Sequence, residues 1–157
     1  LETIPDSDEA EALVTLIREY HTPAWLSYTI AGDRTRAGQP LDEAFAIAAG
    51  VPEIVAVGVN CCAPADVLGA VATADRVTGK PVIVYPNSGE VWDGENRVWI
   101  GTAGMDTRLA TDWVGAGARI IGGCCRIRPD DIAAMAEAMA LDTSSGAICE
   151  AFSNGAP

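Results

Sequence analysis

The chain has 157 residues, 49% hydrophobic and 20% charged, the length and composition of one globular domain able to bury a core. Ten basic against 22 acidic residues give a formal charge of −12; Lys80 is the lone lysine and the arginines are dispersed, so neither nucleic acid nor an anionic membrane is an expected partner. No apolar run nears the roughly 20 residues of a membrane span, and Leu1-Glu2-Thr3-Ile4-Pro5-Asp6 lacks the basic start and apolar core of a signal peptide.

Asp6-Ser7-Asp8 caps a predicted helix whose apolar positions Ala10, Leu13, Val14, Ile17 and Tyr20 keep helical spacing until Pro23. Ala24 to Ile30 alternates as a strand, Gly32 to Gly38 is a polar loop, and Pro40 to Ala49 reads as a short helix closed by Gly50. Ile54 to Val59 is an almost unbroken β-branched run, as in a strand buried on both faces. After Cys61-Cys62-Ala63, Pro64 opens a helix that Gly79 stops. Pro81 to Tyr85 is a further strand, Pro86 to Gly104 a long loop, Thr107 to Val114 a helix, and Arg119 to Ile121 the fourth strand. Pro129 opens the last helix, to about Leu141, and residues 142–157 read as a flexible tail.

Strands that alternate with helices predict an α/β fold with a parallel sheet, and no phosphate-binding glycine loop marks an open doubly wound one. Chemistry in such folds sits at the C-terminal ends of strands. Cys61 lies at one such end, in Gly58-Val59-Asn60-Cys61, and Cys124-Cys125 lie at another, in Ile120-Ile121-Gly122-Gly123-Cys124-Cys125-Arg126.

Five cysteines in two adjacent pairs plus Cys149 do not make a disulfide framework; free or metal-bound thiols in a reducing compartment, the cytoplasm, fit better. Vicinal thiolates on a Gly-Gly turn can point at one soft cation, and Cys61 would complete three ligands with one vacancy, as in a catalytic zinc site. Cys62 reads as packing and Cys149 as incidental. His21, the lone histidine, reads as a surface or capping residue. Trp25, Trp92, Trp99 and Trp113 read as core or loop packing, with Trp92 and Trp99 open to lining a pocket. A three-thiolate zinc suits one task, holding a substrate thiol as thiolate for attack on the methyl group of a sulfonium or similar donor. Water activation is the alternative chemistry, weakened by thiolate donation to the metal.

Gly58-Val59-Asn60-Cys61, Tyr85-Pro86-Asn87-Ser88-Gly89-Glu90 and the Gly-Gly-Cys-Cys-Arg run resemble the homocysteine S-methyltransferase family, zinc (β/α)8 TIM barrels that methylate homocysteine to methionine. The resemblance covers Leu1 to about Leu141. It implies Cys61, Cys124 and Cys125 as zinc ligands, Glu2 as receiver of the substrate amino group, and Asn87 as a residue beside the metal that occupies or guards its open position. The Tyr85 to Glu90 segment is closer to users of S-methylmethionine or S-adenosylmethionine than to the folate or betaine branches.

The family needs about eight strands and roughly 250–300 residues, whereas four complete strands and a stump at Leu1 are legible here. Residues 1–141 therefore match the C-terminal half of the barrel, and the absent initiator Met is expected either of a sequence that begins inside a longer gene product or of one whose Met is removed by processing. A half-barrel leaves open edges and an apolar face, so the N-terminal half or a second copy is the expected partner. Two rival readings are a structural-zinc or thiol-sensing module, which requires a closed fourth ligand, and a non-catalytic half-barrel acting through a partner chain.

Overall fold

The β-branched runs become the sheet of this chain, whose computed structural model describes residues 1–102 and 104–143. Four strands, β1 (Ala24–Tyr28), β4 (Ile54–Asn60), β5 (Val82–Tyr85) and β8 (Ala118–Ile121), pair in parallel in that spatial order. The opening segment adds to the β1 edge through a parallel bridge between Ile4 and Tyr28, with Ser27 N donating to Leu1 O at 2.9 Å. Each strand is followed by a helix: α2 (Leu41–Ala46), α3 (Pro64–Thr78), α4 (Leu109–Gly115) and α5 (Pro129–Thr143), with α1 (Ser7–Tyr20) preceding β1. Four consecutive βα units are half of a (β/α)8 barrel.

Helix ends follow their local chemistry. Asp6 caps α1 by accepting from Asp8 N at 2.8 Å, and His21 closes it in the left-handed region, φ 51°. Pro64 sits in the first turn of α3, and Gly79, φ 61°, ends it with its N–H on Asp75 O.

The core lies between one sheet face and the helices. Leu26, Tyr28, Val57, Val59, Val82 and Val84 pack there with Phe45, Val67, Val71, Trp113 and Met135, all buried. Tyr28 meets Phe45 edge-on at 5.7 Å and donates its hydroxyl to Ala44 O at 2.9 Å.

Among the described residues no helix covers the second sheet face. Ser27, Gly58, Ile83 and Ile120 form one row across it through their pairings. A Cβ at Gly58 would sit 1.6 Å from Ile83 O, so only glycine fits that row. Trp25, 43% exposed, and Ile120, 46% exposed, border an open groove of about 220 Å³ with Ile83 and Tyr85. Trp25 thus departs from the core role expected of it, because its place on β1 turns it toward the uncovered face.

Three expectations need correction. The predicted strand from Ala24 to Ile30 ends at Tyr28, and Ile30–Ala31 (β2) turns back to pair with Arg34–Thr35 (β3) inside the predicted polar loop. The predicted long loop after β5 contains a second hairpin, Val91–Asp93 (β6) with Val98–Ile100 (β7). Its turn is made by Asp93, whose carboxylate accepts from the backbone N–H of Glu95 and Asn96 and from the Asn96 side chain. Helix α5 reaches Thr143, beyond the predicted Leu141; the rest of the predicted tail, with Cys149, lies outside the described residues. Among the described residues no helix is long and apolar enough to cross a membrane.

Candidate metal centre

Cys61 directly follows β4, and Cys124 and Cys125 follow β8, so parallel strands deliver all three to the same end of the sheet. Hydrogen bonds then weave their loops together. Cys61 N donates to Tyr85 O, Gly122 N to Val84 O, and Cys124 N to Pro86 O at 2.8 Å. Cys125 N donates to the Asn87 side-chain oxygen at 3.1 Å, and Ser88 N returns to Cys125 O at 3.1 Å.

The positive backbone angles fall on Cys61, φ 50°, and Arg126, φ 64°, rather than on the two glycines. Gly123 is needed for space: a Cβ there would lie 2.2 Å from Ile127 Cγ2 and 2.5 Å from Ile127 Cβ. The left-handed turn at Cys61 is the conformational cost of aiming its thiol at the vicinal pair.

The Sγ atoms of Cys61, Cys124 and Cys125 all lie within 4.8 Å of one another. Cys125 Sγ is 3.9 Å from each of the other two, and the Cys61 and Cys124 sulfurs lie closer still to each other. Tetrahedral zinc with Zn–S bonds of about 2.3 Å spaces its sulfurs about 3.8 Å apart, so both Cys125 distances fit such a site. Thiolate ligation by the third pair requires its reduced form. Among the described residues no other Cys, His, Asp or Glu joins the cluster, which leaves three protein donors.

The remaining predicted residues take distinct places. Cys62 is fully buried in the core, and burial pushes its thiol up to about 12, with Asp66 adding to the shift. Glu2 is exposed and accepts from the Tyr85 hydroxyl at 3.2 Å; Trp25 Nε1 donates to the same hydroxyl oxygen at 3.3 Å. Burial raises the Tyr85 phenol above its ordinary value, so it stays protonated and can donate to Glu2. Asn87 braces the Cys125 backbone and donates its own N–H to Cys62 O. His21 is exposed at the far end of α1, 3.5 Å from Glu53, away from the cluster. Of the tryptophans, Trp113 is buried, while Trp92 and Trp99 line a cavity of about 600 Å³ that reaches Cys61, Asn87 and Cys125.

Two groups beside the cluster escaped the sequence reading. Asn60, buried at the end of β4, accepts from Thr3 N at 2.9 Å and Ser27 Oγ at 2.7 Å, and donates to Thr3 Oγ1 at 2.7 Å. Glu90 pairs with Arg126 and accepts from Ser88 Oγ at 2.9 Å; the Arg126 hydrogen bond holds its carboxyl below the usual range. Arg126 in turn lies 6.0 Å over the Trp99 ring. Both residues stand inside the quoted motifs, but nothing local distinguishes a network asparagine from a turn asparagine.

The sequence profile described as homocysteine S-methyltransferase matches residues 1–139. The chain belongs to the homocysteine S-methyltransferase family. It is 40% identical to homocysteine S-methyltransferase 4 of Zea mays over 146 residues, 88% of this chain and 43% of that protein. It is also 40% identical to the homocysteine S-methyltransferase of Escherichia coli over 139 residues, 85% of this chain and 45% of that one. The crystal structure of the homocysteine methyltransferase MmuM from Escherichia coli in its metallated form superimposes with a TM-score of 0.69 at 38% identity, covering 85% of this chain and 42% of MmuM. Its oxidized form gives 0.71 at 38% identity, over 87% and 43%. The chain thus spans less than half the length of these members of the homocysteine S-methyltransferase family.

Proposed function

We propose that residues 1–141 are the C-terminal half of a zinc-dependent homocysteine S-methyltransferase, which moves a methyl group from a sulfonium donor to homocysteine and yields methionine. The observation that carries this reading is the convergence of three thiols, from two strand ends, with no fourth ligand beside them among the described residues. Cys61, Cys124 and Cys125 would hold the metal. Zinc bound there would supply one thing, removal of the thiol proton from homocysteine at neutral pH.

The chain's own residues do the rest. Glu2 receives the substrate ammonium, oriented by the Tyr85 hydroxyl. Asn87 fixes the Cys125 backbone, and hence the aim of its thiol, from the neighbouring loop. The homocysteine sulfur gives its electron pair to the donor's methyl carbon, and the old carbon–sulfur bond breaks with its pair returning to the donor sulfur. Two uncharged thioethers result. S-methylmethionine and S-adenosylmethionine are the donors that the Tyr85 to Glu90 segment favours. The uncovered sheet face would receive the N-terminal half-barrel or a second copy of the chain, and a thiol-based site suits the cytoplasm.

Loading the reduced chain with cobalt(II) as a zinc probe and titrating homocysteine tests the reading. Growth of the sulfur-to-cobalt absorption with homocysteine is expected, because a fourth sulfur enters. An unchanged spectrum would favour the rival structural-zinc module and sink the proposal.

A further inference from the structure

Two non-glycine residues in the left-handed region stand at the two ends of the proposed acceptor site. Thr3, φ 60°, directly follows Glu2, and Cys61, φ 50°, carries a thiol of the cluster. Such backbone is strained and persists only where its surroundings over-determine it. Here the same few residues fix both turns. Asn60, buried, accepts from Thr3 N at 2.9 Å and returns its own N–H to Thr3 Oγ1 at 2.7 Å, and its backbone runs directly into Cys61. Thr29 makes a second tie: its N–H donates to Ile4 O at 3.0 Å and its hydroxyl to Cys61 O at 3.2 Å. Tyr85 makes a third, with its hydroxyl on Glu2 at 3.2 Å and its carbonyl accepting from Cys61 N at 3.3 Å. Glu2 is itself exposed, so its place comes from these neighbours and not from packing of its own.

We infer that Asn60 is a positioning residue that sets the span between the Glu2 carboxylate and the thiol cluster, and thereby selects the acceptor by chain length, homocysteine over cysteine. The inference rests on the methyl-transfer reading above, in which Glu2 receives the acceptor's ammonium. A ligand held by its sulfur at one end and its ammonium at the other must match the separation of the two anchors. Cysteine is one methylene shorter, so it meets both only if the segment at Thr3 shifts toward the cluster. Asn60 resists that shift, because each of its buried hydrogen bonds that breaks leaves a polar group unpaired. Apolar contact with a single methylene discriminates by only about 10- to 200-fold. A fixed span adds the loss of a charged hydrogen bond for the shorter acceptor.

The absorption of the reduced, cobalt(II)-loaded chain reads thiol binding without turnover. Three thiols are titrated: homocysteine, cysteine and 4-mercaptobutyrate, which is homocysteine without its ammonium. The unaltered chain is expected to bind homocysteine about tenfold or more tightly than either of the others. Asn60→Ala should bring homocysteine to within about threefold of both and leave 4-mercaptobutyrate unchanged. Thr3→Val, a change of equal shape at an exposed position, removes one bond of the brace and should cut the preference about 3- to 10-fold. Thr3→Ser keeps the hydroxyl and should keep the preference. Circular dichroism verifies the fold of each variant, and the Thr3 pair carries the test if Asn60→Ala does not fold. An undiminished preference in folded Thr3→Val, or an equal weakening of all three thiols, overturns the inference. Glu2→Gln separates it from the reading beneath it. Loss of the preference in Glu2→Gln but not in Thr3→Val removes the positioning role alone. A preference that survives Glu2→Gln, or an unaltered chain whose spectrum responds to no thiol, removes the acceptor reading and the inference with it.

Discussion

Asn60 and Ser27 meet across β4 and β1, the Ser27 hydroxyl donating to Asn60 Oδ1 at 2.7 Å in a fully buried contact. The same oxygen accepts from Thr3 N, so one side chain ties the opening segment, which carries Glu2, to the strand that ends at Cys61. Asn60→Ala would leave a buried hydroxyl and a backbone N–H without their acceptor, each costing about 1–3 kcal/mol. Chemical denaturation should show a loss of about 2–4 kcal/mol. A loss within about 0.5 kcal/mol, the range of ordinary surface substitutions, would show the network to be dispensable.

Metal binding separates the cysteines. Elemental analysis of the reduced chain should find near one zinc per chain, and serine at Cys61, Cys124 or Cys125 should lower the affinity by more than about 100-fold. Asn87→Ala, which removes only the brace on Cys125 N, should cost about 10- to 100-fold, as outer residues of metal sites do. Cys62→Ala should retain the zinc. Retention by the Cys124 variant would remove the three-thiol assignment.

Thiol labelling reads the same division in another way. Cys62 is buried with its thiol pushed up to about 12, so it stays protonated and shielded. In the reduced, metal-free chain at about pH 8.5, iodoacetamide should modify Cys61, Cys124 and Cys125 and spare Cys62 until denaturant is added. Peptide mass mapping locates the label, and early modification of Cys62 would contradict its placement in the core.

The Glu90–Arg126 pair sets an acid sensitivity. The folded chain holds the Glu90 carboxyl below its ordinary value through the Arg126 hydrogen bond. Its contribution is therefore present above the ordinary carboxylate value of about 4.3 and is lost as pH falls through the lower folded value. Tryptophan emission from the hairpin should change over that acid range and remain flat at neutral pH. Glu90→Gln should lose the arginine's ionic partner at every pH and remove this part of the acid dependence. An unchanged acid profile in the variant would assign the transition to other carboxylates.

Gly58→Ala tests the close approach of β4 and β5. The added Cβ would meet Ile83 O at 1.6 Å, and the obstacle is backbone that no side-chain rotation relieves. A destabilisation of at least about 3 kcal/mol is expected, the range of severe overpacking. Near-normal stability would mean that the two strands separate without cost.

Much of this protein was legible before any fold was drawn, because its signals are local. The β-branched runs at 54–59 and 81–85, Pro64 and Gly79 around one helix, and Pro129 before another mark elements whose neighbours in the chain suffice to specify them. The family motifs likewise lie in contiguous segments, and they placed the three cysteines at strand ends. The β6–β7 hairpin could have been read too: Asp93-Gly94 stands between apolar alternations, a turn signal that the tryptophans and glycines around it obscured.

What lay beyond the sequence depends on residues far apart in the chain. Asn60 gains its role only when Thr3 and Ser27 close around it, and Glu90 only when β8 brings Arg126 alongside. Trp25 and Trp113 belong to the same residue type, yet one faces an uncovered sheet surface and the other the helix layer. The sequence by itself determined the parallel α/β architecture and which thiols reach one end of the sheet, since strand direction carries every strand-end loop there. Only tertiary structure decided which polar groups are buried together and which aromatic faces stay open, because burial and pairing energies belong to contacts and not to residues.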